Sequence, residues 1–215
     1  LLGNAPIIQS EGRSFAVKPI WLDRPHPISI SFESGMKDLI LKALSETNGG
    51  MLVFLPGERE IQKLAALLTR ELGTGSKLQF LHGTMPFEEQ CIAMRPIKEG
   101  RKIVLSTSIA ETSLTIEDIR VVVDGGKARR AEFDPSTGLA RLVTTRVSKH
   151  EANQRMGRAG RVAAGHCYKF WSRPEDGGLP ASPTAEMNVA DLSSLALELA
   201  LWGAKVASLA FLSPP

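Results

Sequence analysis

The sequence predicts an α/β domain whose mostly parallel sheet is covered by helices on both faces. Three observations carry this. Met51–Leu55, Lys102–Ser106 and Val121–Val123 are short, nearly continuous apolar runs, the pattern of strands buried on both sides. Segments with apolar residues at three-four spacing lie among them, as in Ile61, Leu64, Ala65 and Leu68. Gly, Pro and Asn punctuate the junctions, and strands alternating with helices imply right-handed crossovers between parallel neighbours.

The elements follow in order. Residues 1–35 carry short apolar runs and the Pro-rich Arg24-Pro25-His26-Pro27, and read as a linker and incoming strand. Met36–Leu44 is predicted helical and is stopped by Asn48-Gly49-Gly50. After the Met51–Leu55 strand, Pro56-Gly57 turns into a helix whose first turn holds Glu58 and Glu60, where carboxylates complement the macrodipole. Lys77–Leu81 is a strand, His82-Gly83-Thr84-Met85 a turn, and Pro86 opens a helix at its first position. The strands Lys102–Ser106 and Val121–Val123 follow. Ala128–Phe133 and Leu139–Thr145 then flank the turn sequence Asp134-Pro135-Ser136-Thr137-Gly138, predicting a β-hairpin inserted into the α/β pattern. A helix from about Lys149 and a strand at His166–Trp171 complete the domain near residue 180. Val189–Trp202 reads as an amphipathic helix opening a further helical region over 181–215.

Composition bounds the function. With 215 residues, 43% apolar and 23% charged, the chain can build a real core, which excludes a disordered tail or a collagen-like chain. No window approaches the ~20 apolar residues of a membrane span, so no membrane role is expected. Leu1–Pro6 lacks the features of a signal peptide, and both it and Ser213–Pro215 read as cuts within a longer protein. Cys91 and Cys167 lack ligand or disulfide spacing, so no metal site is expected and a reducing, cytoplasmic compartment fits. The overall charge of +3 divides unevenly: Lys127–Arg173 carries +8 and the remainder −5. Such a concentration of positive charge points to phosphate, in a nucleotide or in nucleic acid.

The most informative segment is Gln154-Arg155-Met156-Gly157-Arg158-Ala159-Gly160-Arg161. On a continuous α-helix, Gln154, Arg158 and Arg161 would share one stripe at i, i+4 and i+7, with Arg155 turned away toward a structural or salt-bridging role. Gly157 and Gly160 remove side chains beside the stripe, letting a backbone or phosphate approach. Guanidinium forks match phosphate oxygens, and an amide can orient an attacking water. Ser106–Ile116 follows a buried strand and is rich in hydroxyls, including Thr107, Ser108, Ser113 and Thr115, which can grip phosphate oxygens without reading bases.

The octapeptide resembles motif VI of superfamily 2 helicases in its DEAH-box RNA helicase variant. Ser106–Ile116 resembles motif V, and Phe54-Leu55-Pro56-Gly57-Glu58-Arg59-Glu60-Ile61 resembles motif IV, in the same order. The hairpin Phe133–Leu139 with Arg141-Leu142-Val143, the opening Ile8–Phe15 and the closing Leu201-Trp202-Gly203 are most similar to the bacterial HrpB type. The resemblance implies a second RecA-like domain over 36–180, acting in a 3′-to-5′ ATP-dependent RNA helicase. It implies arginine fingers at Arg158 and Arg161, water positioning by Gln154, and nucleotide contacts at Glu117, Thr115 and Gly157. RNA contacts are implied at Thr107, Ser108, Gly57, Thr84 and Ser113.

Some positions depart from the family pattern. Ser108 replaces the commoner Asn and Glu117 the usual Asp. Relatives that stack adenine on a Phe in the helix after the Pro86 turn have no counterpart ring at Cys91-Ile92-Ala93-Met94, so weak base selectivity is expected. The sequence contains neither G-x-x-x-x-G-K-[ST] nor Asp-Glu-x-His. A preceding RecA-like domain is therefore expected to supply the phosphate loop and Mg2+, and this chain alone is expected not to hydrolyse ATP. Two other readings stay open: a nucleic-acid-binding module without catalysis, and a DNA-directed superfamily 2 motor. Phosphate contacts alone do not separate RNA from DNA. The oligomeric state is not legible.

Overall fold

The computed structural model describes Pro6, residues 15–111 and residues 116–211. Its strands are β1 (Val17–Leu22), β2 (Gly50–Phe54), β3 (Ser76–Leu81), β4 (Arg101–Ser106), β5 (Ile119–Asp124), β6 (Lys127–Asp134), β7 (Leu139–Arg146) and β8 (Gly165–Ser172). Its α-helices are α1 (Phe32–Glu46), α2 (Glu58–Glu71), α3 (Phe87–Met94), α4 (Lys149–Gly157), α5 (Arg173–Gly177) and α6 (Ser193–Trp202).

Six strands form one sheet in the order β1-β8-β5-β2-β4-β3, every pair parallel. Helices α1 and α2 cover one face, packing Met36, Ile40, Leu64 and Leu68 on Met51, Val53, Leu105 and Val123. On the other face, Ala93, Ala110 and Ala159 pack on Leu52, Phe54, Val104, Val122 and Cys167. The strand alternation therefore serves two cores, as the continuous apolar runs require.

The residues divide into two compact units. The larger comprises the described part of Arg13–Ala128 with Thr144–Pro183, and contains the whole parallel sheet. The smaller comprises Arg129–Val143 and the described part of Thr184–Pro215. In it, the hairpin turn is fastened by Thr137 and Gly138 N–H groups on the Asp134 carbonyl and by Ser136 on Asp134 Oδ1, with Gly138 at φ 68°. The Ser136 hydroxyl, and then its N–H, hold the Asp134 carboxyl below its usual pKa.

Three elements differ from expectation. Helix α1 starts four residues early, because Ser31 accepts the Ser34 N–H and so caps the chain before Phe32. Pro86 is the N-cap of α3 and not its first residue, its ψ of 142° being extended. Helix α6 spans only Ser193–Trp202, after Asp191 accepts the Ser193 N–H. It is apolar around its circumference, with Leu199 buried and Leu197, Leu201 and Trp202 exposed, and so is not amphipathic.

Candidate nucleotide and nucleic-acid site

Parallel register gathers one set of residues at a single edge. Leu81 pairs with Ser106, Ser106 with Phe54, and Phe54 with Asp124, so β3, β4, β2 and β5 end level. The loops after them carry Thr84, Thr107 with Ser108, and Gly57. Ser106 Oγ donates to the Leu81 carbonyl at 3.0 Å and the Thr107 N–H to the same carbonyl at 3.1 Å, tying two of these loops together. Thr84 Oγ1 donates to Glu58 at 3.1 Å beside Gly57, and pairs with His82 Nδ1 at 2.7 Å. The carboxyl ends of parallel strands are where open α/β sheets present ligand-binding loops. Thr84 and Ser108 are exposed, whereas Gly57 is buried as the N-cap of α2. Ser113 and Thr115 lie outside the described residues.

The second set lies on α4 and the turn after it. Ser148 and Glu151 form a reciprocal capping box, which starts the helix as the S-x-x-E spacing dictates. The expectation of one α-helical stripe is corrected here. The α-helix ends at Gly157, and Arg158–Gly160 is a 3₁₀ turn. Two glycines within four residues weaken the α-helix, and the Arg158 N–H already reaches the Arg155 carbonyl three residues back. Arg158 opens this turn and Arg161 closes it, near enough for the Arg161 charge to act on Arg158, while Gln154 belongs to the α-helix before it. Gln154 is half-buried and contacts His150 Nε2 at 2.7 Å; Arg161 is exposed, and Arg158 only 5% so. Burial, then the nearby Arg161 charge, push the Arg158 pKa down to about 10.

The two glycines are not equivalent. A Cβ on Gly160 would stand 2.5 Å from the Phe15 carbonyl oxygen, so this glycine admits the chain entering β1. A Cβ on Gly157 would meet nothing within 4 Å. Glu117 is exposed two residues before β5, and Arg161 lies four residues before β8, the strand beside it.

Arg155 is structural and is 1% exposed. Its Nε donates to Glu111 Oε2 and its Nη1 to Asp124 Oδ1, both at 3.0 Å, and Nη1 also reaches the Lys127 carbonyl at 3.2 Å. Its guanidinium stands 5.0 Å from the centroid of the Phe54 ring. Burial opposes its charge, but Asp124 and then Glu111 outweigh it and raise the pKa. Glu111 also presents its main-chain carbonyl to Arg158 Nε at 3.0 Å. Sequence reasoning assigned no role to Glu111 or Asp124. A carboxylate closing the apolar run Val121–Val123 was the available signal, since a buried charge demands a partner.

The helicase conserved C-terminal domain model matches residues 35–163. The chain belongs to the helicase C-terminal domain family. Within this family it is 41% identical over 204 residues to the ATP-dependent RNA helicase HrpB of Escherichia coli, covering 94% of this chain and 25% of that protein. It is 36% identical over 205 residues to the ATP-dependent RNA helicase HrpA of Borreliella burgdorferi, covering 92% and 24%. Two crystal structures of E. coli HrpB, described as a DExH-box NTPase and a DEAH/RHA helicase, superpose with TM-scores of 0.92 and 0.93 at 40% identity. Each covers all of this chain and 27% or 28% of the solved one. The helicase C-terminal domain seen here is thus a RecA-like domain of the DEAH/RHA group, and spans about a quarter of the length of its HrpB relatives.

Among the described residues no helix is long and apolar enough to cross a membrane, and no three His, Cys, Asp or Glu side chains cluster as metal ligands.

Proposed function

We propose that the full-length protein is an ATP-dependent RNA helicase that couples nucleoside triphosphate hydrolysis to 3′-to-5′ movement on single-stranded RNA in the cytoplasm. The observation that carries this reading is that Arg158 and Arg161 stand at the two ends of one short 3₁₀ turn, beside the open flank of Gly157. Arg161 is presented to a γ-phosphate held by a preceding RecA-like domain of the same chain, with Arg158 behind it, and together they neutralise charge spreading over the phosphoryl oxygens. Gln154 orients the attacking water. Gly157 lets the phosphates approach, and Glu117 with Thr115 binds the nucleotide. Mg2+, held by the preceding domain, supplies further charge neutralisation. RNA phosphates lie along the edge formed by Gly57, Thr84, Thr107 and Ser108, and Ser113 is a further RNA contact.

The test is hydrolysis and strand separation by the full-length protein. Single-stranded RNA stimulates ATP hydrolysis more than matched DNA, duplexes with a 3′ overhang are unwound in preference to 5′ ones, and Arg161→Ala lowers turnover on the order of 10³-fold. The isolated chain hydrolyses no ATP. Equal stimulation by DNA would favour a DNA-directed motor, and RNA binding without any hydrolysis would favour a binding module.

A further inference from the structure

We infer that Glu111 and Arg155 are a positioning pair through which RNA engagement at the β4 edge sets the placement of Arg158. The inference rests on the proposed helicase reading. Thr107 and Ser108 lead into a short 3₁₀ turn, in which the Ala110 N–H reaches the Thr107 carbonyl and the Glu111 N–H the Ser108 carbonyl at 2.9 Å. These main-chain bonds tie Glu111 to Thr107 and Ser108, so a displacement of the loop on binding RNA is passed to Glu111. Glu111 then touches the α4 region twice: its carboxylate holds Arg155 Nε, and its carbonyl holds Arg158 Nε, each at 3.0 Å. The Arg155 guanidinium extends the same connection to Asp124 at the end of β5 and to the Lys127 carbonyl where the hairpin begins.

One buried cation therefore joins the candidate RNA loop, the helix bearing Gln154 and the base of the hairpin. Stability alone is a weak reason for such an arrangement, since well-packed apolar side chains often replace buried ion pairs without loss. The planar fork matters more. It meets two carboxylates, from segments 44 and 31 residues distant in sequence, through two separate nitrogens held in one plane, a spacing that the single nitrogen of an ammonium lacks. Coupling between two sites requires a physical element that both bias, and this cation with its two carboxylates contacts both.

The experiment compares full-length wild type with Glu111→Gln and, separately, Arg155→Lys. It measures ATP hydrolysis without RNA and at saturating RNA, and affinity for a labelled single-stranded oligonucleotide without nucleotide. The ratio of RNA-stimulated to RNA-free hydrolysis falls about tenfold or more in both variants, with oligonucleotide affinity retained. An unchanged ratio overturns the inference, whether both rates fall in parallel, as a purely supporting role would give, or neither changes. Hydrogen exchange on the wild type decides the matter even if both variants misfold. Oligonucleotide binding slows exchange of the amides of 149–161 in the absence of nucleotide, and no change there overturns the inference. A wild type that hydrolyses no ATP under any condition overturns the helicase reading instead, and the exchange measurement still reads the coupling.

Discussion

Arg158 Nε donates to the main-chain carbonyl of Glu111 at 3.0 Å, so the innermost guanidinium of the candidate nucleotide site is held by backbone belonging to another segment. A carbonyl anchor brings no charge of its own to the guanidinium, while the charges of Arg161 and Glu111 both bear on it. The cost is a charge kept in a poorly hydrated place next to Arg161, which is why its pKa falls to about 10.

That shift predicts a pH dependence. A cation with a depressed pKa keeps its charge below that value and loses it as pH rises through it, so wild-type Arg158 stays charged across the neutral and mildly alkaline range. In Arg158→Lys the ammonium starts from about 10.4 and is lowered by the same burial and the same Arg161. ATP hydrolysis by the full-length variant therefore declines with rising pH over a range where wild type is flat. Parallel pH profiles would contradict this.

The two glycines of the 3₁₀ region separate stability from function. Gly157 has helical angles (φ −58°, ψ −20°) and open space around it, so Gly157→Ala stabilises the fold by up to about 1 kcal/mol while lowering ATP turnover. Gly160→Ala forces a methyl against the Phe15 carbonyl and destabilises by about 1–3 kcal/mol. Denaturant titration and steady-state hydrolysis of the full-length variants check both; a fully active Gly157→Ala would remove the argument for phosphate approach.

Arg155→Met removes the counter-charge from Asp124, whose side chain is 1% exposed, and from Glu111, whose side chain is 10% exposed. Asp124 Oδ2 has no hydrogen-bond partner among the described residues, so the guanidinium charge is its main compensation. Leaving two buried carboxylates without it costs about 3–5 kcal/mol. Unfolding measured at neutral pH reads the loss; a change within about 0.5 kcal/mol, the range of ordinary surface substitutions, would show that the network carries little.

Base selectivity is expected to be weak. Over Cys91–Met94, the segment of α3 that the family resemblance assigns to the base, the chain offers Ile92, 57% exposed, and the half-buried Cys91, with no aromatic ring. Apolar contact without a ring face or a directed hydrogen bond discriminates bases poorly. A panel of ATP, GTP, CTP and UTP on the full-length protein should give turnover within about tenfold across the four. Strict preference for ATP would point to a base contact elsewhere.

Much of the fold was legible because its determinants are local. Apolar runs of strand length, three-four spacing in α2, the Ser148/Glu151 capping box and the Asp134–Gly138 turn each act within a few residues. Arg155 could be assigned a structural role from helix geometry, but its partners could not be named, because Glu111 and Asp124 lie 44 and 31 residues away. Periodicity does not place the start of α1, which Ser31 caps, or of α6, which follows the Asp191 turn onto the Ser193 N–H.

By itself the sequence determined the residue types of the site and the strand–helix order that carries them, since both depend on short-range chemistry. Tertiary structure alone decided which residues meet. Parallel register brought Thr84, Gly57 and Thr107 to one edge. A 3₁₀ turn, and not a continuous helix, carries the chain from Arg158 to Arg161. A buried guanidinium joined the two sets through carboxylates, since one charge taken from water must find others wherever the fold places them.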